Sequence, residues 1–213
     1  MARIKNGILG GINGKIGGAE GYIRNGIAYV RIKRRKSNKP PTEKQKAARQ
    51  RMSLVNKFIN TMTAFVGIGF AQVAKGQAFS ANNAAKSYQL RNSLEGTYPD
   101  QVINYGKVLL TAGELRPAEN AAIEIFENGM KFIWDCDPMG DRNYQWSVAM
   151  LLVYCKALDR SYFDLSGVKR TAKEQFVELP PIFKGHDLQV YLSFITDDRK
   201  AIANSVHVAQ VMF

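Results

Sequence analysis

The sequence is poor in the residues from which most active sites are built. It contains two cysteines and two histidines in 213 residues. His186 and His207 have no cysteine or acidic neighbours at metal-ligand spacing, so no metal centre is predicted. No Ser-His-Asp grouping or carboxylate pair for acid–base work stands out. Asp135, Asp137 and Asp141 lie close together around Pro138. They fit a solvated acidic loop better than a calcium site. Phosphate-loop signatures fail at defined positions: Gly14-Lys15 is followed by Ile16 instead of Ser or Thr, position 9 is Leu, and no G-x-G-x-x-G occurs near the N-terminus. Gly11-Ile12-Asn13-Gly14 fits a bare G-x-x-G without the flanking helices that clamp nucleotides. The expectation is a protein that is not an enzyme and uses no cofactor.

Long apolar runs are also missing. The longest charge-free stretch, between Lys57 and Lys75, is interrupted by Asn60, Thr61, Thr63, Gln72 and two glycines, which argues against a membrane span. Met1 is followed by Ala2, Arg3, Ile4 and Lys5, with no signal-peptide core. Cys136 and Cys155 fall in predicted strands and suit buried thiols better than a disulfide. A cytoplasmic protein, or one in a particle assembled in the cytoplasm, is expected.

Acidic residues are nearly absent from the first quarter. The net charge of the chain is +12. Residues 1–57 hold 15 Lys and Arg against 2 Asp and Glu, whereas residues 58–213 hold 15 against 16. The basic excess therefore belongs to one segment. That segment also holds eight of the 18 glycines within its first 30 residues. Glycine at this density forms no stable helix, so residues 1–41 are predicted to be an arm that orders only against a core or a partner. Asn25-Gly26 between Tyr22–Arg24 and Ile27–Lys33 signals a β-hairpin. The run through Arg34, Arg35, Lys36, Lys39 and Pro40-Pro41 predicts an extended linker.

Residues 42–96 are predicted to be helical. Thr42 and Gln45 have capping-box spacing, and Met52, Val55, Phe58, Ile59, Met62, Phe65 and Val66 form one apolar face over about six turns. The early cations Lys44, Lys46, Arg49 and Arg51 oppose the helix dipole, which suggests that an external anion or acidic partner compensates them. Gly67 and Gly69 break the pattern, and a second helix runs from about Ser80 to Leu94. Thr97-Tyr98-Pro99-Asp100 reads as a turn, and from Val102 onward the period is two. Strands are predicted at Ala121–Glu127, Met130–Cys136, Ser147–Lys156, Ser161–Leu165, Glu174–Leu179, Asp187–Thr196 and Ile202–Met212, with Lys107–Thr111 as an opening strand or arm. The fold class is thus α+β, with a basic arm, two helices and a seven-stranded immunoglobulin-like β-sandwich over 97–213.

Phe132-Ile133-Trp134 and Val190-Tyr191-Leu192-Ser193-Phe194 resemble the core-tryptophan strand and the sixth strand of fibronectin type III domains. That resemblance speaks to fold and says little of function. Asn6-Gly7-Ile8-Leu9-Gly10-Gly11, Gly14-Lys15-Ile16-Gly17, Thr42-Glu43-Lys44-Gln45 and Gly96-Thr97-Tyr98-Pro99-Asp100 resemble an uncharacterised bacterial family of small basic proteins, a domain of unknown function. No functional residue follows from it.

Two roles remain open for the basic segment. Arg24, Arg31, Lys33, Arg34, Arg35, Lys36, Lys39, Lys44, Lys46, Arg49 and Arg51 could neutralise phosphates, with Tyr22 and Tyr29 stacking on bases. Alternatively, the arm docks on a neighbouring subunit of a homo-oligomer or larger assembly. Ile4, Ile8, Leu9, Ile12, Ile16 and Ile23 would be its anchors. A purely nucleic-acid tail would not need these apolar residues, so subunit docking is the favoured expectation and nucleic-acid binding the alternative.

Overall fold

A computed structural model describes residues 10–24, 26–33 and 39–213, together with the backbone of 3–8. The chain divides into two compact units, Met1–Thr42 and Glu43–Phe213.

The first unit departs from the expected arm. It contains four antiparallel strands in sequential order, β1 (Arg3–Ile8), β2 (Ile12–Ile16), β3 (Ala19–Arg24) and β4 (Ile27–Ile32). Gly17-Gly18 makes a two-residue turn in which Gly17 takes φ +53°. The predicted hairpin is present as β3–β4, turning through Gly26 at φ +80°. Gly21 faces Gly14 across the β2–β3 ladder, and a Cβ at Gly21 would collide with the Ile12 backbone carbonyl. Glycine here permits close strand approach, and the ladders supply the backbone hydrogen bonds that the isolated segment would lack.

In the second unit, α1 (Glu43–Asn60) starts directly after Thr42. It buries Val55, Phe58 and Ile59, while Met52 is exposed. The predicted six-turn helix is interrupted at Thr61-Met62. The Thr61 hydroxyl donates to the Phe58 carbonyl at 2.8 Å, and the Ser161 hydroxyl donates to the Thr61 carbonyl at 2.6 Å. Side-chain competition for the backbone ends the helix at that point. α2 (Thr63–Gly69) then runs through Gly67 and Gly69, where the sequence predicted a break, and α3 (Ala71–Ala74) follows. Burial of Phe65, Val66 and Phe70 outweighs the glycine cost. Ser80 caps α4 (Ala81–Asn92), accepting from Asn83 N at 3.3 Å. β5 (Leu94–Glu95) and β6 (Val102–Ile103) form a short ladder. Lys107–Thr111 is not a strand; it leaves a 3-10 turn at Tyr105–Lys107 and buries Val108 and Leu110.

The remaining strands are β7 (Glu119–Phe126), β8 (Gly129–Asp135), β9 (Val148–Cys155), β10 (Arg160–Asp164), β11 (Glu174–Glu178), β12 (Asp187–Ile195) and β13 (Val206–Met212). The short helix α5 (Arg142–Trp146) lies between β8 and β9. Four strands pair in the order β10-β9-β12-β13 and three in the order β11-β8-β7. One face of β9 and β12, with Leu151, Val153, Leu192 and Phe194, shares a core with Phe132 and Trp134 of the three-stranded sheet. Their other face, with Met150, Leu152, Tyr154 and Tyr191, packs with Phe58, Ile59, Met62 and Phe65 of the helical segment. The helices of 43–96 and the strands therefore share a core. Both cysteines are free thiols; Cys155 is buried, and half-buried Cys136 lies one residue beyond β8.

Candidate functional site

Strand alternation sorts the N-terminal sheet into two unlike faces. The registers Gly14↔Gly21↔Val30, Ile16↔Ala19↔Ile32 and Ile23↔Ala28 put Ile12, Ile16, Ile23, Ala28, Val30 and Ile32 on one face. That face has no charged residue among the described side chains of β2–β4. Its exposure is greatest on β4, where Val30 is 62% and Ile32 85% accessible. β4 is also an edge, paired only with β3, and all six of its residues are exposed.

The opposite face carries Lys15, Glu20, Tyr22, Arg24, Ile27, Tyr29 and Arg31. Tyr22 and Tyr29 are directly opposed and stack with ring centroids 5.4 Å apart and planes 17° from parallel. The Arg31 guanidinium sits 5.3 Å from the Tyr22 ring centre and donates to the Glu20 carboxylate at 2.9 Å. This hydrogen bond and the Arg31 charge hold the Glu20 carboxyl below its ordinary range, with Lys15 and Lys33 contributing charge.

Of the basic residues singled out in the sequence, Arg24, Arg31, Lys33 and Lys39 are exposed, while Arg34, Arg35 and Lys36 lie outside the described residues. Among the anchors, Ile12 and Ile16 lie on the apolar face. Ile4 is in register with Ile12; the side chains of Ile4 and Ile8, and Leu9 altogether, are outside the described set. Lys44, Lys46, Arg49 and Arg51 are exposed on α1 in the other unit. Among the described residues, none of these four has a carboxylate at ion-pair distance, whereas Lys57 pairs with Asp159 at 2.5 Å. Ile23, also expected as an anchor, lies on the apolar face as well; sequence reasoning overlooked Lys15 as a member of the polar face, and Ala28, Val30 and Ile32 as the completion of the apolar one. Their signal is a period-two pattern running through the glycines.

Outside this sheet, several of the polar residues singled out in the sequence make contacts within the fold. Asp137 Oδ1 accepts from Met139 N at 2.9 Å and Asp141 Oδ1 from Tyr144 N at 3.0 Å, closing the local turns. His207 Nε2 lies 2.9 Å from the Gln189 side-chain carbonyl oxygen, and burial lowers its pKa. Among the described residues, no three His, Cys, Asp or Glu side chains cluster as metal ligands, and no helix is long and apolar enough to cross a membrane.

Residues 11–209 match the family of unknown function DUF6266, and the chain belongs to that family. No curated protein and no solved structure matches it.

Proposed function

We propose that this is a non-enzymatic assembly protein whose N-terminal sheet docks onto a second copy of the chain, and whose β7–β13 strands form a fibronectin type III-like scaffold. The division of those strands into β11-β8-β7 and β10-β9-β12-β13, with Trp134 buried against Phe194 at 5.4 Å, supports the scaffold reading. The observation that carries the docking reading is the apolar face ending on the unpaired edge of β4. An exposed apolar edge strand is a template for another strand. Antiparallel pairing of two β4 edges makes a self-complementary two-fold contact. Arg31 is the single charged residue of β4, and its pairing with Glu20 offsets its charge at such an edge. The doubled sheet then has a continuous apolar face, on which Val30 and Ile32 of the two copies become neighbours and bury part of their surface, each contributing less than the ~1.5–3 kcal/mol of full burial.

Size-exclusion chromatography with light scattering on the full-length chain tests this. The wild type is expected to run as an oligomer, and Val30→Lys/Ile32→Lys as a folded monomer of 23.8 kDa. A wild-type monomer throughout the micromolar range, or an oligomer indifferent to the two lysines, would overturn the reading.

A further inference from the structure

The polar face of the same sheet has a separate chemistry. Tyr22 and Tyr29 present two nearly parallel rings, 36% and 40% accessible, on an open strand surface. Cross-strand stacking stabilises the hairpin, and the pair remains open on the side away from the apolar face. Its surroundings are cationic. Lys15 lies beside Glu20 in the β2–β3 register, Arg24 is next but one to Tyr22 on β3, and Lys33 follows β4 with the same alternation as Arg31. Glu20 is the one acid described on this face, and it is engaged by Arg31. Among the described residues, Lys15, Arg24 and Lys33 have no carboxylate at ion-pair distance.

We infer that this face is a platform for single-stranded nucleic acid, with bases stacking on Tyr22 and Tyr29 and phosphates taken by Lys15, Arg24 and Lys33. A sheet face bearing exposed rings stacks about two or three bases. Flanking cations track the backbone without reading sequence. A duplex is a poor fit because its base faces are already stacked, and an acidic protein surface would leave the rings unused. Arg31 is the positioning residue: its bond to Glu20 and its place over Tyr22 hold that ring against Tyr29. The platform uses the face opposite the apolar one, although Tyr29 also lies on the β4 strand whose edge the docking reading pairs.

Fluorescence anisotropy of the full-length protein with labelled oligothymidine tests it, with the annealed duplex and heparin as competitors. Three phosphate contacts give a salt slope of about −2, so affinity falls roughly 20-fold from ~50 to ~200 mM salt. Tyr22→Thr/Tyr29→Thr keeps β-formers in the strands and should weaken binding about tenfold or more with the slope unchanged. Lys15→Gln/Arg24→Gln changes exposed, unpaired side chains. It should reduce the slope by about 1.4, which keeps the test decisive if the tyrosine variant loses the sheet. Absence of binding, equal competition by duplex, or tyrosine and lysine–arginine variants that bind as wild type would overturn the proposal. The two readings fail separately: a monomeric wild type that still binds oligothymidine removes docking alone, and a Val30→Lys/Ile32→Lys monomer should bind with its tyrosine dependence intact.

Discussion

Arg170 is fully buried, and among the described residues no carboxylate pairs with it. Its guanidinium lies between the Tyr144 ring at 4.1 Å and the Phe194 ring at 3.8 Å, and donates to the Arg116 carbonyl at 2.7 Å. The indole of Trp134 donates back to the Arg170 carbonyl at 2.8 Å. The side chain thus ties the segment before β7 to α5 and β12, and the Arg170 main-chain carbonyl adds the tryptophan strand. Burial lowers its pKa, and the adjacent Tyr144 hydroxyl partly opposes that. Arg170→Ala should empty the slot between the rings and orphan a carbonyl, costing about 3–5 kcal/mol. Arg170→Met refills the slot with a flexible apolar chain and removes the buried charge, so it should recover at least ~1.5 kcal/mol. Urea unfolding of the two variants checks this; equal losses would show that the slot's packing is not what matters. Nothing in Gly167-Val168-Lys169-Arg170 signals such a role, because it depends on rings supplied from positions 144 and 194.

Helix α2 gives two neighbouring glycines opposite expected effects. A Cβ at Gly67 meets nothing within 4 Å, whereas one at Gly69 runs into the Leu110 carbonyl and lies 2.8 Å from the Thr111 side chain. Gly67→Ala should stabilise by roughly 0.5–1 kcal/mol through helix propensity. Gly69→Ala should destabilise by about 1–3 kcal/mol, because segment 108–112 is held there by the bond from Ala112 N to the Gly69 carbonyl at 2.9 Å. Thermal melts of the two variants moving in the same direction would refute this account. The strands after residue 119 were legible to within a few residues because alternation is a strong local signal. Less legible was the covering of β9 and β12 on both faces. Val148–Cys155 reads as a continuous apolar run, and only the contacts with Phe58 and Phe65 explain why it lacks a polar side. The interruption at Thr61 was hidden too, since it needs Ser161, a hundred residues away.

At the scale of the whole molecule, charge, glycine and apolar alternation coincide in one small unit. The candidate site was half legible: Arg24, Arg31, Lys33, Tyr22, Tyr29, Ile12 and Ile16 were visible as types, but their sorting onto two faces required the register. Glycines at 14, 17, 18 and 21 diluted the strand signal until the ladders restored it. The second unit has its own two clusters of buried residues, one shared by helices and β9–β12, the other by the two sheets. The first offers about forty residues, near the lower limit for folding without help. Deleting residues 1–42 should therefore leave 43–213 folded with a single cooperative thermal transition, while abolishing both oligomerisation and oligothymidine binding. Circular dichroism, light scattering and anisotropy on the truncated chain check the three outcomes separately. A truncated chain that unfolds would make the sheet a structural requirement of the second unit. One that still assembles would shift the docking surface to the strand edges β10, β13, β7 and β11. One that still binds the oligonucleotide would point to Lys44, Lys46, Arg49 and Arg51 on α1, whose charges lack carboxylate partners among the described residues.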